Sequence, residues 1–233
     1  LLAAGAVALP FLPRGEWRTP APTAARTAPA PPAPASLDGP ADPAQSEASA
    51  NAALFAAWGV AYRGGEVCGE AESLGLSCRS AHAGLYELRQ INRPAVLRLR
   101  DAGGREFAAT LVALGEESAT FALAGGRREV GLGALARQWS GDYRLLWRPP
   151  PEVRDTLRPG DRGAAVAWLR AALAPSAVAA DPALFDDALA AEVKRFQLAR
   201  GLRPDGAVGA QTLIRLLGES DRDAPRLLRD GGG

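Results

Sequence analysis

The chain has 233 residues, 47% of them hydrophobic, with 27 Lys and Arg against 26 Asp and Glu for a formal net charge of +1. That length buries one or two ordinary cores, and basic residues scattered among as many acidic ones exclude the positive stripe that non-specific nucleic-acid binding requires. With a single histidine and two cysteines in all, the two or three histidines usual in a catalytic zinc site are missing, so neither a metal nor a cofactor is expected.

Residues 1–13, LLAAGAVALPFLP, form an apolar run shorter than the about 20 residues that a bilayer-crossing helix takes. Three readings stay open: the end of a membrane span that starts upstream, with Arg14, Trp17 and Arg18 at the interface; the apolar part of a signal peptide; or a disordered apolar end. The chain contains no methionine, even at position 1, and is expected to be part of something longer. Residues 14–45 are dominated by Pro, Ala, Thr and Ser and are expected to form an extended, semi-stiff linker. In polyproline conformation it would reach about 3.1 Å per residue.

A domain is expected over residues 46–148. Ala50 to Tyr62 reads as a helix with Leu54, Ala57, Trp58 and Ala61 on one face, closed by Gly64-Gly65. From Ala95 the apolar period changes to two. Ala95–Arg100, Phe107–Leu114, Ala119–Ala124, Glu129–Leu132 and Tyr143–Arg148 are short runs separated by Gly-rich turn sequences. A leading helix with a following antiparallel meander gives an α+β domain. Cys68 and Cys78 either remain thiols or close a disulfide loop, worth roughly 2 to 3 kcal/mol by loop entropy. The disulfide is the expected reading, and it would place the domain in an oxidising compartment. His82 reads as a surface or loop histidine.

Pro149-Pro150-Pro151 opens a linker over residues 149–155, and residues 156–219 form a second, all-helical domain followed by a flexible tail at 220–233. Val166, Leu169 and Leu173 fall at helical spacing, as do Leu189, Val193 and Phe196, then Leu213, Leu216 and Leu217. Asp161, and Asp186 or Asp187, stand where N-caps are wanted; Gly201 follows the second helix as a C-cap, and Pro204-Asp205-Gly206 makes a turn before Gly209. Leu157-Arg158-Pro159 and Leu202-Arg203-Pro204 head two similar turn-plus-helix units, a hint of a pseudo-repeat.

Through Gly160-Asp161-Arg162-Gly163, Val166, Leu169, Phe185, Val193, Phe196-Gln197, Gly201-Leu202, Asp205-Gly206 and Thr212-Leu213, this domain resembles the three-helix peptidoglycan-binding domains of cell-wall enzymes. The family usually has a glutamine where this chain has Arg170. The resemblance implies peptidoglycan as ligand and makes Arg170, Gln197, Asp205 and Thr212 the candidate contacts.

The middle domain resembles a degenerate bacteriocin-processing-type cysteine peptidase of papain-like fold, through the helix ending near Trp58-Gly59, Asn92-Arg93-Pro94-Ala95-Val96 and the strand at Glu106-Phe107. Active members open the helix with a cysteine and the strand with a histidine; here those places hold Ser46 to Asn51 and Glu106. Papain-type chemistry needs a thiolate beside an imidazole, so no catalytic residue is expected.

The order of parts is similar to the periplasmic half of the general secretion pathway protein A family. That resemblance implies a non-catalytic part of a type II secretion assembly protein, held in the periplasm by an inner-membrane anchor upstream. It also implies work with a B-type partner to place the secretin through the wall. No Walker A pattern occurs, so any ATPase domain is expected outside this chain. The alternatives are a cell-wall hydrolase carrying a wall-binding module, which the missing Cys/His pair opposes, and a plain wall-anchored scaffold.

Overall fold

The computed structural model describes residues 37–39, 42–173, 180–218, 221 and 223–228. The apolar run at 1–13, residues 14–36 of the expected linker and much of the expected tail lie outside them.

Helix α1 (Pro43–Ala57) lies across an antiparallel sheet. Ala50, Leu54, Phe55 and Trp58 follow one another at helical spacing and are buried with Val96, Ala108 and Leu146 of the sheet. The helix therefore begins and ends earlier than the sequence pattern suggests. Its first turns carry Ala, Ser, Gln and Glu, which show no apolar period. Its end is set by Gly59, which adopts φ +73, because a left-handed residue just past a helix is met most cheaply by glycine. Ser46 and Thr110 tie the helix down. The Ser46 hydroxyl accepts the Ala108 N–H at 3.0 Å, and the Thr110 hydroxyl donates to the Ala50 carbonyl at 2.5 Å.

The sheet contains β1 (Ser77–His82), β2 (Ala95–Arg100), β3 (Glu106–Leu114), β4 (Ser118–Leu123), β5 (Gly126–Gly131) and β6 (Trp139–Trp147), in the order β1-β6-β2-β3-β4-β5. Strands β2 to β5 make the expected meander. The sixth returns over α4 (Leu132–Gln138) to insert between β1 and β2. Two further short helices, α2 (Val67–Ser73) and α3 (Leu85–Ile91), flank β1. Cys68 in α2 is joined to Cys78 in β1 by a disulfide with a Cα separation of 5.0 Å.

Both faces of the central strands are covered, which is why β2 and β3 read as near-continuous apolar runs. Val96, Ala108 and Thr110 face α1, whereas Leu97, Leu99, Phe107, Ala109 and Leu111 join the core on the other side. The three-helix module consists of α5 (Ala164–Leu173), α6 (Asp187–Ala199) and α7 (Ala210–Leu217), and its core residues Val166, Leu169, Phe185, Leu189, Val193 and Leu213 belong to that same cluster. The fold is α+β, with the helical module continuous with the core on the second face of the sheet.

Two residues outside the domain limits suggested by patterning are fully buried. Leu37, from the expected linker, donates its N–H to the Gln138 side-chain oxygen at 2.9 Å and accepts from the same amide's nitrogen at 2.6 Å. Leu227, from the expected tail, accepts the Leu114 N–H at 3.0 Å through its carbonyl, while the next N–H, of Leu228, donates to Asn92 Oδ1 at 2.7 Å. Each segment carries an isolated leucine that periodicity cannot register, and each is fixed by partners more than a hundred residues away in sequence.

Candidate functional site

The module is built as two similar halves. Leu157 and Val208 pair as an antiparallel bridge, and so do Arg162 and Leu184. In the first half, Asp181 Oδ1 accepts the Ala183 N–H at 3.0 Å; in the second, Asp205 Oδ1 accepts the Ala207 N–H at 2.9 Å. These are matching Asx turns, in which a short carboxylate satisfies a backbone donor two residues on. Each turn is then gripped by a side chain near the end of the helix before it. Gln197 Nε2, on α6, donates to Asp205 Oδ1 and to the Ala207 carbonyl, both at 2.9 Å, while its Oε1 accepts the Gly206 N–H at 2.9 Å. Arg170, on α5, donates to the Leu184 carbonyl at 2.6 Å and the Pro182 carbonyl at 3.3 Å.

Arg170 thus does on the first loop what Gln197 does on the second. Its charge is matched by Asp186 at 3.0 Å, the residue that caps α6 by accepting the Leu189 N–H at 2.8 Å. The Leu189 N–H, and after it the Arg170 guanidinium, hold the Asp186 carboxyl below its ordinary range. The Ala207 N–H, followed by the Gln197 amide, does the same for Asp205. Asp161, expected as the N-cap of α5, instead accepts the Arg158 N–H at 2.6 Å inside the preceding turn. The helix starts after Gly163, whose φ of +125 few side chains could adopt.

Of the four candidate contacts, Gln197, Asp205 and Thr212 are brought together, the Thr212 hydroxyl lying 3.2 Å from Gln197 Nε2. Arg170 stands apart on the other loop. Arg170, Gln197 and Thr212 are 6%, 2% and 5% exposed, and only Asp205 is open to solvent. Three of the four therefore spend their polar atoms on holding the loops, and what a wall polymer could touch is the surface those loops shape.

The seam between the module and the middle domain gives no sign in the sequence. Glu87 on α3 accepts from Gln211 on α7 and from the Tyr143 hydroxyl, both at 3.3 Å, and Arg215 on α7 donates to Gln90 at 3.4 Å. Arg215 is only 7% exposed, and burial pulls its guanidinium below its usual value. The two pairs that cross the seam, Glu87 with Gln211 and Gln90 with Arg215, lie more than a hundred residues apart in sequence, beyond the reach of any pattern in one chain.

Ser46, the first residue of the Ser46 to Asn51 range where the resemblance expects the thiol, and Glu106, where it expects the imidazole, border one small surface hollow that Arg98 also lines. The Ser46 hydroxyl is 3% exposed and bonded to the Ala108 N–H, while Glu106 is bonded to Arg100 at 2.6 Å. His82, the chain's single histidine, is on β1 with its Nδ1 3.0 Å from Asp142. Strands β6 and β2 separate β1 from the β3 strand that Ser46 touches, a span of roughly 14 Å at the usual strand spacing.

Residues 162–216 match the family described as "Putative peptidoglycan binding domain". The chain is 33% identical over 77% of its length to general secretion pathway protein A of Aeromonas hydrophila, covering 33% of that protein. It is also similar to the periplasmic domain of the EpsAB fusion protein of the Vibrio vulnificus type II secretion system, at 24% identity, covering 81% of this chain and 92% of that one with a TM-score of 0.47. The peptidase C39 like domain of a toxin secretion ATP-binding protein from Vibrio parahaemolyticus matches 46% of this chain and 97% of its own, at 19% identity and a TM-score of 0.35. The chain spans about a third of the length of the curated relatives it matches.

Proposed function

We propose that this chain is the non-catalytic, peptidoglycan-binding part of a type II secretion assembly protein, acting in the periplasm from an inner-membrane anchor. It fastens the assembly to the wall where the secretin must pass, together with a B-type partner. The observation that carries this reading is the intact three-helix module at residues 162–216, set within a longer stretch similar to general secretion pathway protein A. The middle domain supports the reading by its packing. Joined to the module through Glu87, Gln211 and Arg215, it presents the wall-binding surface as part of a stiff body.

The test is co-sedimentation of the chain with purified sacculi. Retention in the pellet at low salt is expected, and a folded chain that stays in the supernatant overturns the reading. The secretion role is tested separately. Loss of the gene segment should leave secretin subunits unassembled in cells with an intact wall and restore assembly when the wall is loosened.

A further inference from the structure

The module is fastened to the middle domain at both of its ends. At its entry, Val153 is buried and its N–H donates to the Pro150 carbonyl at 3.0 Å. At its exit, α7 ends on Leu217, and the chain meets the middle domain again at residues 223–228. We propose that this C-terminal segment is a releasable latch. Seated, it fixes the module against the middle domain; released, it leaves the module on the proline linker alone, free to swing. On the wall-binding reading, release widens the reach of the surface that meets the wall.

Three observations carry the latch. First, the segment is anchored on residues of the middle domain. Ala224 belongs to the cluster of Trp58, Val96 and Leu146, and Leu227 is fully buried, its carbonyl accepting the Leu114 N–H at 3.0 Å. The Leu228 N–H donates at 2.7 Å to Oδ1 of Asn92, which stands in the left-handed region at φ +51. The stretch from Leu217 to Ala224 is about seven residues, a reach of at most roughly 25 Å, so a seated segment confines the end of α7. Second, the seam holds weakly by itself. A groove of about 830 Å³ separates Trp147 and the segment entering β1 from Gly209, Ala210 and Leu213, so these surfaces are not closed on one another. Two hydrogen bonds that cross the seam, Gln211 to Glu87 and Arg215 to Gln90, are long at 3.3 and 3.4 Å, and the buried Arg215 Nε has no partner among the described residues. Third, the segment sits beside a buried charge. Arg93 is 2% exposed, and burial pulls its guanidinium below its usual value, with Asp221 acting against that and Arg226 adding to it. Release gives this guanidinium more water, which offsets part of the cost of uncovering Leu227.

Spin labels on Arg128→Cys and Lys194→Cys, both at exposed positions, read the distance from the middle domain to the module by double electron–electron resonance; Cys68 and Cys78 are joined to each other and take no label. The whole chain should give one narrow distance. Truncation after residue 222 should broaden it into a wide distribution. Asn92→Gly keeps the left-handed turn and deletes only the acceptor for Leu228, and it should raise the broad fraction about tenfold over the parent. Circular dichroism should show both variants folded. A truncated chain whose distance is as narrow as the parent's overturns the latch, because the segment then does not fix the module. A truncated chain that unfolds outright also overturns it, because the segment is then core. Neither result touches the wall-binding reading, which sedimentation with sacculi decides.

Discussion

Gln197 Nε2 lies 2.9 Å from Asp205 Oδ1 while Oε1 of the same amide receives the Gly206 N–H, also at 2.9 Å. One side chain therefore closes the second loop of the module through both ends of its amide. Leaving buried partners unsatisfied costs more than the net value of a hydrogen bond, so Gln197→Ala should destabilise the chain by about 2 to 3 kcal/mol. Gln197→Glu should fail as well, since a carboxylate cannot donate to Asp205 and repels it. Denaturant titration reads both. Arg170→Gln is the informative contrast, because glutamine can keep a bond to the first loop while giving up the ion pair with Asp186. Its expected loss is the smaller of the two.

The carboxyls of Asp186 and Asp205 set a pH dependence. Both are held below the ordinary carboxylate value by backbone N–H groups first and then by Arg170 and Gln197 respectively. A folded value below the unfolded one means that the stability contributed is fully present above about pH 4 and is lost as pH falls through the folded value. Thermal midpoints should be flat from neutral pH down to that point and then fall. Asp186→Asn should flatten the fall in part. A midpoint that falls as pH rises toward neutrality would contradict the assignment.

Much of the module was legible in the sequence because its information is local. Apolar residues at helical spacing, Asp186 as a cap and Gly201 as a left-handed stop with φ +67 each act within a few residues of the element they define. The middle domain yielded less. Its strands from Ala95 to Leu123 showed through alternation and glycine turns, but α2, α3 and α4 are seven residues each, barely two turns, too short to display a period. Arg170 and Gln197 stood out as motif residues, but that they clasp the two loops could not be read from the motif. A polar residue kept for a buried loop clasp and one kept for a ligand look identical until burial is known. The seam was invisible, since Glu87 and Gln211 meet only through tertiary packing.

The disulfide should matter to the middle domain specifically. It joins residues ten apart, so closing that short loop contributes roughly 2 to 3 kcal/mol through the unfolded state. It fastens α2 onto β1, the edge strand of the sheet. Reductant should lower the unfolding midpoint, and the native exported protein should show no alkylatable thiol. Two reactive thiols in that material would remove the argument for an oxidising compartment.

Leu227 offers a test of where the folded body ends. It is fully buried, and its carbonyl receives the Leu114 N–H at 3.0 Å. Leu227→Ala should cost about 2 to 5 kcal/mol, as for other core leucines. Truncation after residue 222 should destabilise the β3 region, read as faster hydrogen exchange at Leu114. An unchanged exchange rate would mean that the segment is dispensable.

The middle domain should hydrolyse nothing. Amide hydrolysis needs an activated nucleophile and a base within hydrogen-bond reach, and general acid–base action alone supplies about a hundredfold to ten-thousandfold in rate. Ser46 opens the range, Ser46 to Asn51, where the resemblance expects the nucleophile, but its oxygen accepts the Ala108 N–H and the residue is 3% exposed, so it fastens α1 to β3. Glu106 stands where the resemblance expects the histidine and is engaged with Arg100 at 2.6 Å. The only histidine lies beyond two intervening strands. Incubating the chain with peptidoglycan fragments and with unfolded protein should give no cleavage products by mass spectrometry. Turnover abolished by Ser46→Ala, Ser49→Ala or Glu106→Gln would reveal an enzyme of unusual design. In its absence, Ser46→Ala should register only as lost stability, because removing the hydroxyl leaves the Ala108 N–H buried without an acceptor.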